Sequence, residues 1–158
     1  MAGNRYILYK YVESGGEVLT DVKVKHFHFD KALTKKLIYN AVICEFKHKV
    51  YYIEDEKGII HYSMAIGKCR KFPFLKKNDY ILGPSWTRND ARGQKLLAKM
   101  LNYISAEILK EHPDANIYTV VREENIASTK GVLKADFKKI GYVEKTPKLK
   151  IYSKVHLD

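Results

Sequence analysis

The residues best placed to do chemistry lie in one stretch, Ser85-Trp86-Thr87-Arg88-Asn89-Asp90-Ala91-Arg92-Gly93-Gln94-Lys95-Leu96-Leu97. A β-rich run ends there, a short polar turn follows, and a helical pattern begins at an Arg-Gly pair. The first amides of a helix have no internal acceptors, and the macrodipole puts partial positive charge beside them. An anion such as a pyrophosphate can be held by such amides. Gly93 permits close backbone approach, and Arg92 and Lys95 add full charges. A plain strand-to-helix turn with a solvated charge cluster has the same composition, so the pattern alone leaves both readings open. The nucleotide-binding alternatives fail on spacing. There is no GxxxxGK[ST], and no GxGxxG between a strand and a helix.

The surrounding elements must position that turn. Residues 5–12 and 18–26 are β-rich around Glu13-Ser14-Gly15-Gly16 and predict an N-terminal hairpin. Asp30 reads as an N-cap for an amphipathic helix to about Glu45, with Leu33, Leu37, Ile38 and Val42 on its apolar face. Val50–Glu54 and Ile59–Ile66 form a second hairpin around Asp55-Glu56-Lys57-Gly58. Phe72–Asp79 reads as a loop, and Tyr80–Thr87 as a strand made irregular by Gly83 and Pro84, since proline cannot donate to a ladder. From Gly93 the periodicity is helical, with Leu97, Met100, Leu101, Ile104 and Ile108 on one face and His112-Pro113 as the stop. Ile117–Val121 is a strand, Asn125 to about Lys134 a helix, and Phe137–Lys145 and Leu149–Val155 two closing strands. The order ββ-α-ββ-β-α-β-α-ββ predicts a mixed α/β (α+β) domain over residues 1–158, its sheet largely antiparallel with one β-α-β crossover.

Bulk composition narrows the function classes. With 158 residues, 46% hydrophobic and 30% charged, the chain has the make-up of a soluble globular domain. No apolar run approaches the roughly 18 residues of a membrane span. The opening Met-Ala-Gly-Asn-Arg-Tyr has no apolar signal core, and Ala2 stands where a myristoylation site needs glycine, so a cytoplasmic protein with no membrane partner is expected. Cys44 and Cys69 are far apart and make no metal-binding pattern, so no metal is expected. The formal net charge of +11 points to an anionic ligand or to solubility. A nucleic-acid partner is disfavoured, because the lysines are dispersed and no helix-turn-helix, zinc-finger or RNP signature is present.

Two motifs carry a resemblance. Trp86 to Leu101 is similar to the acyl-CoA pyrophosphate motif of the GNAT acetyltransferases, (Q/R)xxGx(G/A) at a helix start, with Arg92 at its first position and Met100-Leu101 as the paired apolar residues. Val121-Arg122-Glu123-Glu124-Asn125-Ile126-Ala127-Ser128-Thr129-Lys130, followed by Phe137 and Gly141-Tyr142, resembles the superfamily's second motif. The two stand in the right order, a helix and a strand apart. The departures are Lys95 and Leu97 at the motif's small positions, and Asp136 at a glycine. Val132 stands where many members carry a tyrosine as general acid, and Gly83 where a carboxylate often lies.

The resemblance implies acetyl-CoA as donor and direct attack of a primary amine on the thioester. By position, Trp86 and Thr87 would face the acetyl group, Val121 would pair with the pantetheine arm, and Arg92, Gly93, Gln94, Lys95, Leu96 and Leu97 would hold the pyrophosphate. Asn125, Ser128 and Lys130 would contact pantetheine or phosphate. For proton transfer, His61 shares strand parity with Ser63 and has a near-neutral pKa, and Ser85 can orient a water; both residue types are also common as structural groups. The expected acceptor is a small-molecule amine, such as an amino sugar, recognised by residues of about 26–50, among them His28, Tyr39 and His48. A protein amine is the next choice, and the chain is expected to be a monomer or homodimer. A non-catalytic acyl-CoA-binding domain of the same fold is the alternative, with a basic nucleic-acid-binding module behind it.

Overall fold

The period-2 pattern of Val50–Glu54 and Ile59–Ile66 is realised as β3 (His48–Asp55) and β4 (Gly58–Gly67), whose turn is held by the Lys57 amide donating to Asp55 Oδ1 at 2.9 Å. The computed structural model describes residues 5–12, 24–27 and 48–158. The other strands are β1 (Arg5–Tyr11), β2 (Lys25–Phe27), β5 (Tyr80–Thr87), β6 (Ile117–Arg122), β7 (Phe137–Lys145) and β8 (Tyr152–Leu157). They form one eight-stranded sheet in the order β2-β3-β4-β5-β6-β1-β7-β8. Every neighbouring pair is antiparallel except β5–β6. That parallel pair needs a crossover, which α1 (Leu96–Glu111) supplies; α2 (Ile126–Lys134) then connects β6 to β7.

The mixed, largely antiparallel α/β sheet is as expected, but the N-terminal hairpin is not. β1 pairs along both edges, with β6 (Tyr6 opposite Arg122) and with β7 (Tyr6 opposite Val143), so no edge remains for residues 18–26. β2 instead pairs with β3 at the far end of the sheet. The helix expected over about 30–45 lies outside the described residues.

Adjacent residues of a strand face opposite sides, and the two cores follow from this. On one face Met100, Leu101 and Ile104 of α1 pack with Ala65, Leu82, Val121 and Phe137. On the other, Ile81, Met64, Tyr6, Val143 and Tyr152 pack with Phe72 and Leu75 of the 72–79 loop. That loop is tied down by Asp79, buried, whose Oδ1 accepts from the backbone and side-chain amides of Asn116 (3.1 and 3.0 Å) and whose Oδ2 accepts from the Lys76 amide at 3.0 Å. One carboxylate thereby joins the starts of β5 and β6.

Candidate active site

The β5–β6 ladder holds for only three pairs, Tyr80–Ile117, Ile81–Tyr118 and Leu82–Thr119. At its end the Thr119 hydroxyl donates to the Leu82 carbonyl at 2.8 Å. Pro84 follows and has no N–H to donate, and β5 carries an extra residue against β4 between the Ala65–Leu82 and Ser63–Ser85 pairs. β5 and β6 therefore run on unpaired with each other, to Thr87 and Arg122. Two cavities, of about 520 and 550 Å³, meet at this split and share Ser85, Leu97, Asn125 and Ser128 as walls.

The larger cavity lies under the helices. The chain leaves β5 through a 3-10 turn at Asn89–Ala91, passes an extended Arg92, and enters α1 at Leu96 rather than at Gly93. Its first ladder bond runs from the Lys99 amide to the Lys95 carbonyl (3.1 Å), so the amides of Leu96, Leu97 and Ala98 have no intrahelical acceptor. Arg92, Lys95, Lys130 and Lys134 line this cavity with Gly93, and no carboxylate among the described residues does; Gln94, exposed beside Gly93, does not line it. The donor set fits a polyanion such as the diphosphate of CoA. The motif's small positions have distinct structural reasons. Lys95 sits at φ 57°, the left-handed region in which a glycine is unstrained. Leu97 reaches towards α2, where Gly131 leaves room: a Cβ there would come within 2.8 Å of the leucine's Cδ2. The turn is anchored by Arg88, whose guanidinium donates to Asp55 (3.0 and 2.6 Å) and to Asp90 (2.6 and 3.0 Å).

The expected contact residues are distributed around the split. Trp86 is exposed and stacks on Tyr62 at 5.9 Å, and it lines the larger cavity with Thr87. Val121, buried, lines the smaller one. Asn125 caps α2, its Oδ1 accepting from the Ser128 amide at 3.1 Å, and Lys130 follows on the exposed side. Val132 and Gly83 both line the smaller cavity. Gly83 has φ 119°, a conformation that strains any L side chain, so this backbone is not one that carries a carboxylate there.

His61, the expected base, lines the larger cavity beside Ser85 and Thr87. It is fully buried, and burial pushes its pKa down to about 4, so the ring is neutral near pH 7. Both ring nitrogens are engaged, Nδ1 with Thr87 Oγ1 (2.7 Å) and Nε2 with Ser63 Oγ (3.2 Å), and Ser63 Oγ lies 2.6 Å from Ser85 Oγ. A hydrogen-bond chain thus runs from buried His61 to exposed Ser85 at the split.

The sequence reading missed the far wall of the smaller cavity. There Tyr6 (β1), Arg122 (β6), Lys145 (β7) and Tyr152 (β8) come together, one residue from each of four strands. Arg122 Nε donates to the Tyr6 hydroxyl at 3.1 Å, and Lys145 Nζ lies 5.5 and 5.2 Å from the Tyr6 and Tyr152 ring centres. Burial raises the Tyr6 pKa, but the hydrogen bond from Arg122 and the charges of Lys145 and Arg122 outweigh it and leave the phenol more acidic than usual. No single segment holds this cluster, so no spacing marks it. Of the expected acceptor residues, His28 and Tyr39 lie outside the described residues, and His48 is buried on β3.

The same architecture occurs in solved structures. A GNAT-family acetyltransferase from Colwellia psychrerythraea superposes with a TM-score of 0.63 at 13% identity, covering 87% of this chain and 53% of that one. The chain has the GNAT fold. A GNAT-family protein from Novosphingobium aromaticivorans (TM-score 0.58, 12% identity, 88% of this chain and 61% of that one) shares it. So does a tandem GNAT protein from the clavulanic acid biosynthesis pathway (0.56, 12%, 86% and 50%). This chain thus spans half to three-fifths of the length of these GNAT proteins. No protein-family model matches the sequence, and no curated protein does.

Proposed function

We propose that this chain is an acetyl-CoA-dependent N-acetyltransferase that transfers the acetyl group directly to the primary amine of a small molecule. The observation that carries the reading is the split of β5 from β6, with a cation-lined cavity at a helix start on one side and a second cavity on the other. The helix amides, Arg92 and Lys95 would hold the diphosphate, with Lys130 and Lys134 close by, and the pantetheine arm would run between β5 and β6. The amine nitrogen attacks the thioester carbon, the C–N bond forms and the C–S bond breaks. The unpaired edge of β5 at Trp86-Thr87 supplies amides for the carbonyl oxygen as it gains charge.

The acceptor ammonium must first lose a proton. The cations that line the smaller cavity lower the pKa of an amine bound within it. That proton passes to water beside Ser85, whose hydroxyl is oriented through Ser63 by His61, and the second proton, lost from the nitrogen as the adduct collapses, passes through water to the departing thiolate. His61 is a positioning residue in this scheme. Such a site works by proximity and charge, and does not require side chains at 83 and 132 to act as base and acid. Residues 1–158 would act as one domain in the cytoplasm, a reading compatible with the lack, among the described residues, of any helix long and apolar enough to cross a membrane.

Val132 and Gly83 support a second reading, an acyl-CoA-binding domain without turnover. Calorimetry with acetyl-CoA, repeated with Arg92→Ala, tests the donor site. Wild-type binding weakened by the substitution is the expected result; no binding by the wild type sinks both readings. Free-thiol release over an amine panel then separates enzyme from binding domain.

A further inference from the structure

The cavity on the far side of the split has a charge pattern that an ordinary amine does not match. The described residues lining it include Arg122 and Lys145 and no aspartate or glutamate. Lys145 has no carboxylate partner among the described residues, and its ammonium lies over two tyrosine rings. Arg122 spends one donor on Tyr6 and has Glu124 at 3.9 Å, an exposed pair too long to be a strong hydrogen bond. Beyond the Tyr6 bond its guanidinium has no hydrogen-bond partner among the described residues, and Arg122 lines the cavity. A fork of N–H donors beside a lysine and two phenol hydroxyls is the donor set that oxyanions select.

A cationic amine without an anion would enter against like charge and leave these donors unmatched, a penalty that excludes as much as it binds. We infer that the acceptor is a small amine that itself carries an oxyanion, a carboxylate or a phosphate, held by Arg122, Lys145, Tyr6 and Tyr152 while its nitrogen reaches the split at Ser85. The inference rests on the acetyl-transfer reading and narrows its acceptor class. It also gives β1 a functional reason for its place: inserted between β6 and β7, it brings Tyr6 into register with Arg122.

The test uses matched pairs differing only in the anion: glucosamine and glucosamine 6-phosphate, and an amino acid with its carboxamide. Binding of each is measured by calorimetry with and without CoA, and transfer by thiol release with mass spectrometry of the product. Acetyl-CoA binding is measured separately. Expected is an advantage of tenfold or more in Kd or kcat/KM for the anionic member of at least one pair, the responding pair telling phosphate from carboxylate. Lys145→Ala and Arg122→Gln should each remove most of that advantage, with acetyl-CoA affinity within about twofold of wild type. Equal or better use of the neutral members overturns the inference, as does failure of both anionic amines to bind to protein that binds acetyl-CoA. If acetyl-CoA does not bind, the donor reading fails, and the binding preference measured without CoA decides the anion site independently. An advantage that survives both substitutions overturns the assignment to this cluster.

Discussion

The two cavities that meet at the β5–β6 split are built in opposite ways. The one under the helices is made largely from consecutive backbone: a 3-10 turn, an extended arginine, a left-handed lysine and the open amides of α1. The other also touches both helices, through Leu97, Leu101 and Val132, but its charged wall is made from side chains brought together by β1, β6, β7 and β8. Backbone recognition needs little more than a helix start and a place for the anion to approach, so it tolerates Lys95 and Leu97 at positions where GNAT motifs carry small residues. Side-chain recognition depends on strand order, and a one-residue slip of β1 would turn Tyr6 to the opposite face. If this contrast holds, changes at the shared wall damage both sites, and changes in either cavity damage one.

The largest effect belongs to the buried end of the hydrogen-bond chain that reaches the shared wall at Ser85. His61 is buried and neutral, with its pKa near 4 against about 6.5 when unfolded. The unfolded chain therefore takes up this proton first as pH falls. Stability from His61 is complete above pH 6.5 and is lost as the pH drops towards 4, amounting to about 3 kcal/mol over that window. Urea unfolding between pH 7 and 4 should show this loss, and His61→Gln should flatten it. Equal slopes in the two proteins would mean that the ring is not held in the dry environment described.

Next comes the closed end of the split. Asp79→Ala leaves the Asn116 and Lys76 amides without their acceptor and should cost about 2 kcal/mol. Because it loosens the common start of β5 and β6, affinity for acetyl-CoA and for the acceptor should fall together. Calorimetric loss of only one of them would break the idea of a shared frame.

Much of the donor side was legible because its determinants are local. The irregularity of β5 was visible in Gly83-Pro84, the start of α1 in Arg92-Gly93 to within three residues, and the cap of α2 in Asn125. The far side was not legible, for a physical reason. The alternation in Arg-Tyr-Ile-Leu-Tyr-Lys-Tyr tells that β1 is a strand and which residues share a face, but not which strands it joins. Turn residues at 13–16 favoured a hairpin with 18–26, and the long-range pairing with β6 and β7 overrode them. The depth of His61 was hidden for a similar reason. Parity put it in line with Ser63, to which it is hydrogen-bonded, but depth cannot be read from parity, and burial is what keeps the ring neutral.

The contrast between the cavities is sharpened by Arg92→Ala. This side chain lines only the cavity under the helices. Loss of one charge-assisted contact should weaken acetyl-CoA about tenfold, or about 1.4 kcal/mol, with binding of an anionic acceptor in the absence of CoA unchanged within twofold. Parallel losses at both sites would show that a diffuse positive field, rather than two separate donor sets, attracts the anions; repeating the titrations at higher salt would then weaken both alike.

The smallest effect separates conformation from charge at a single position. Lys95 has φ 57°, and a left-handed backbone costs a non-glycine residue about 1–2 kcal/mol, while a glycine gives back about 0.5–1 kcal/mol through the freedom of its unfolded chain. Lys95→Gly should therefore stabilise the protein by roughly 0.5–1 kcal/mol, seen as a higher urea midpoint at unchanged m-value. The same substitution removes a cation from the donor cavity, so acetyl-CoA affinity should fall a few-fold as stability rises. Lys95→Asn, which tolerates the left-handed region but is uncharged, should lose affinity to the same extent with less gain in stability. If glycine instead binds acetyl-CoA more tightly than lysine, the side chain obstructs the phosphate turn, and strain at this position has no compensating use in binding.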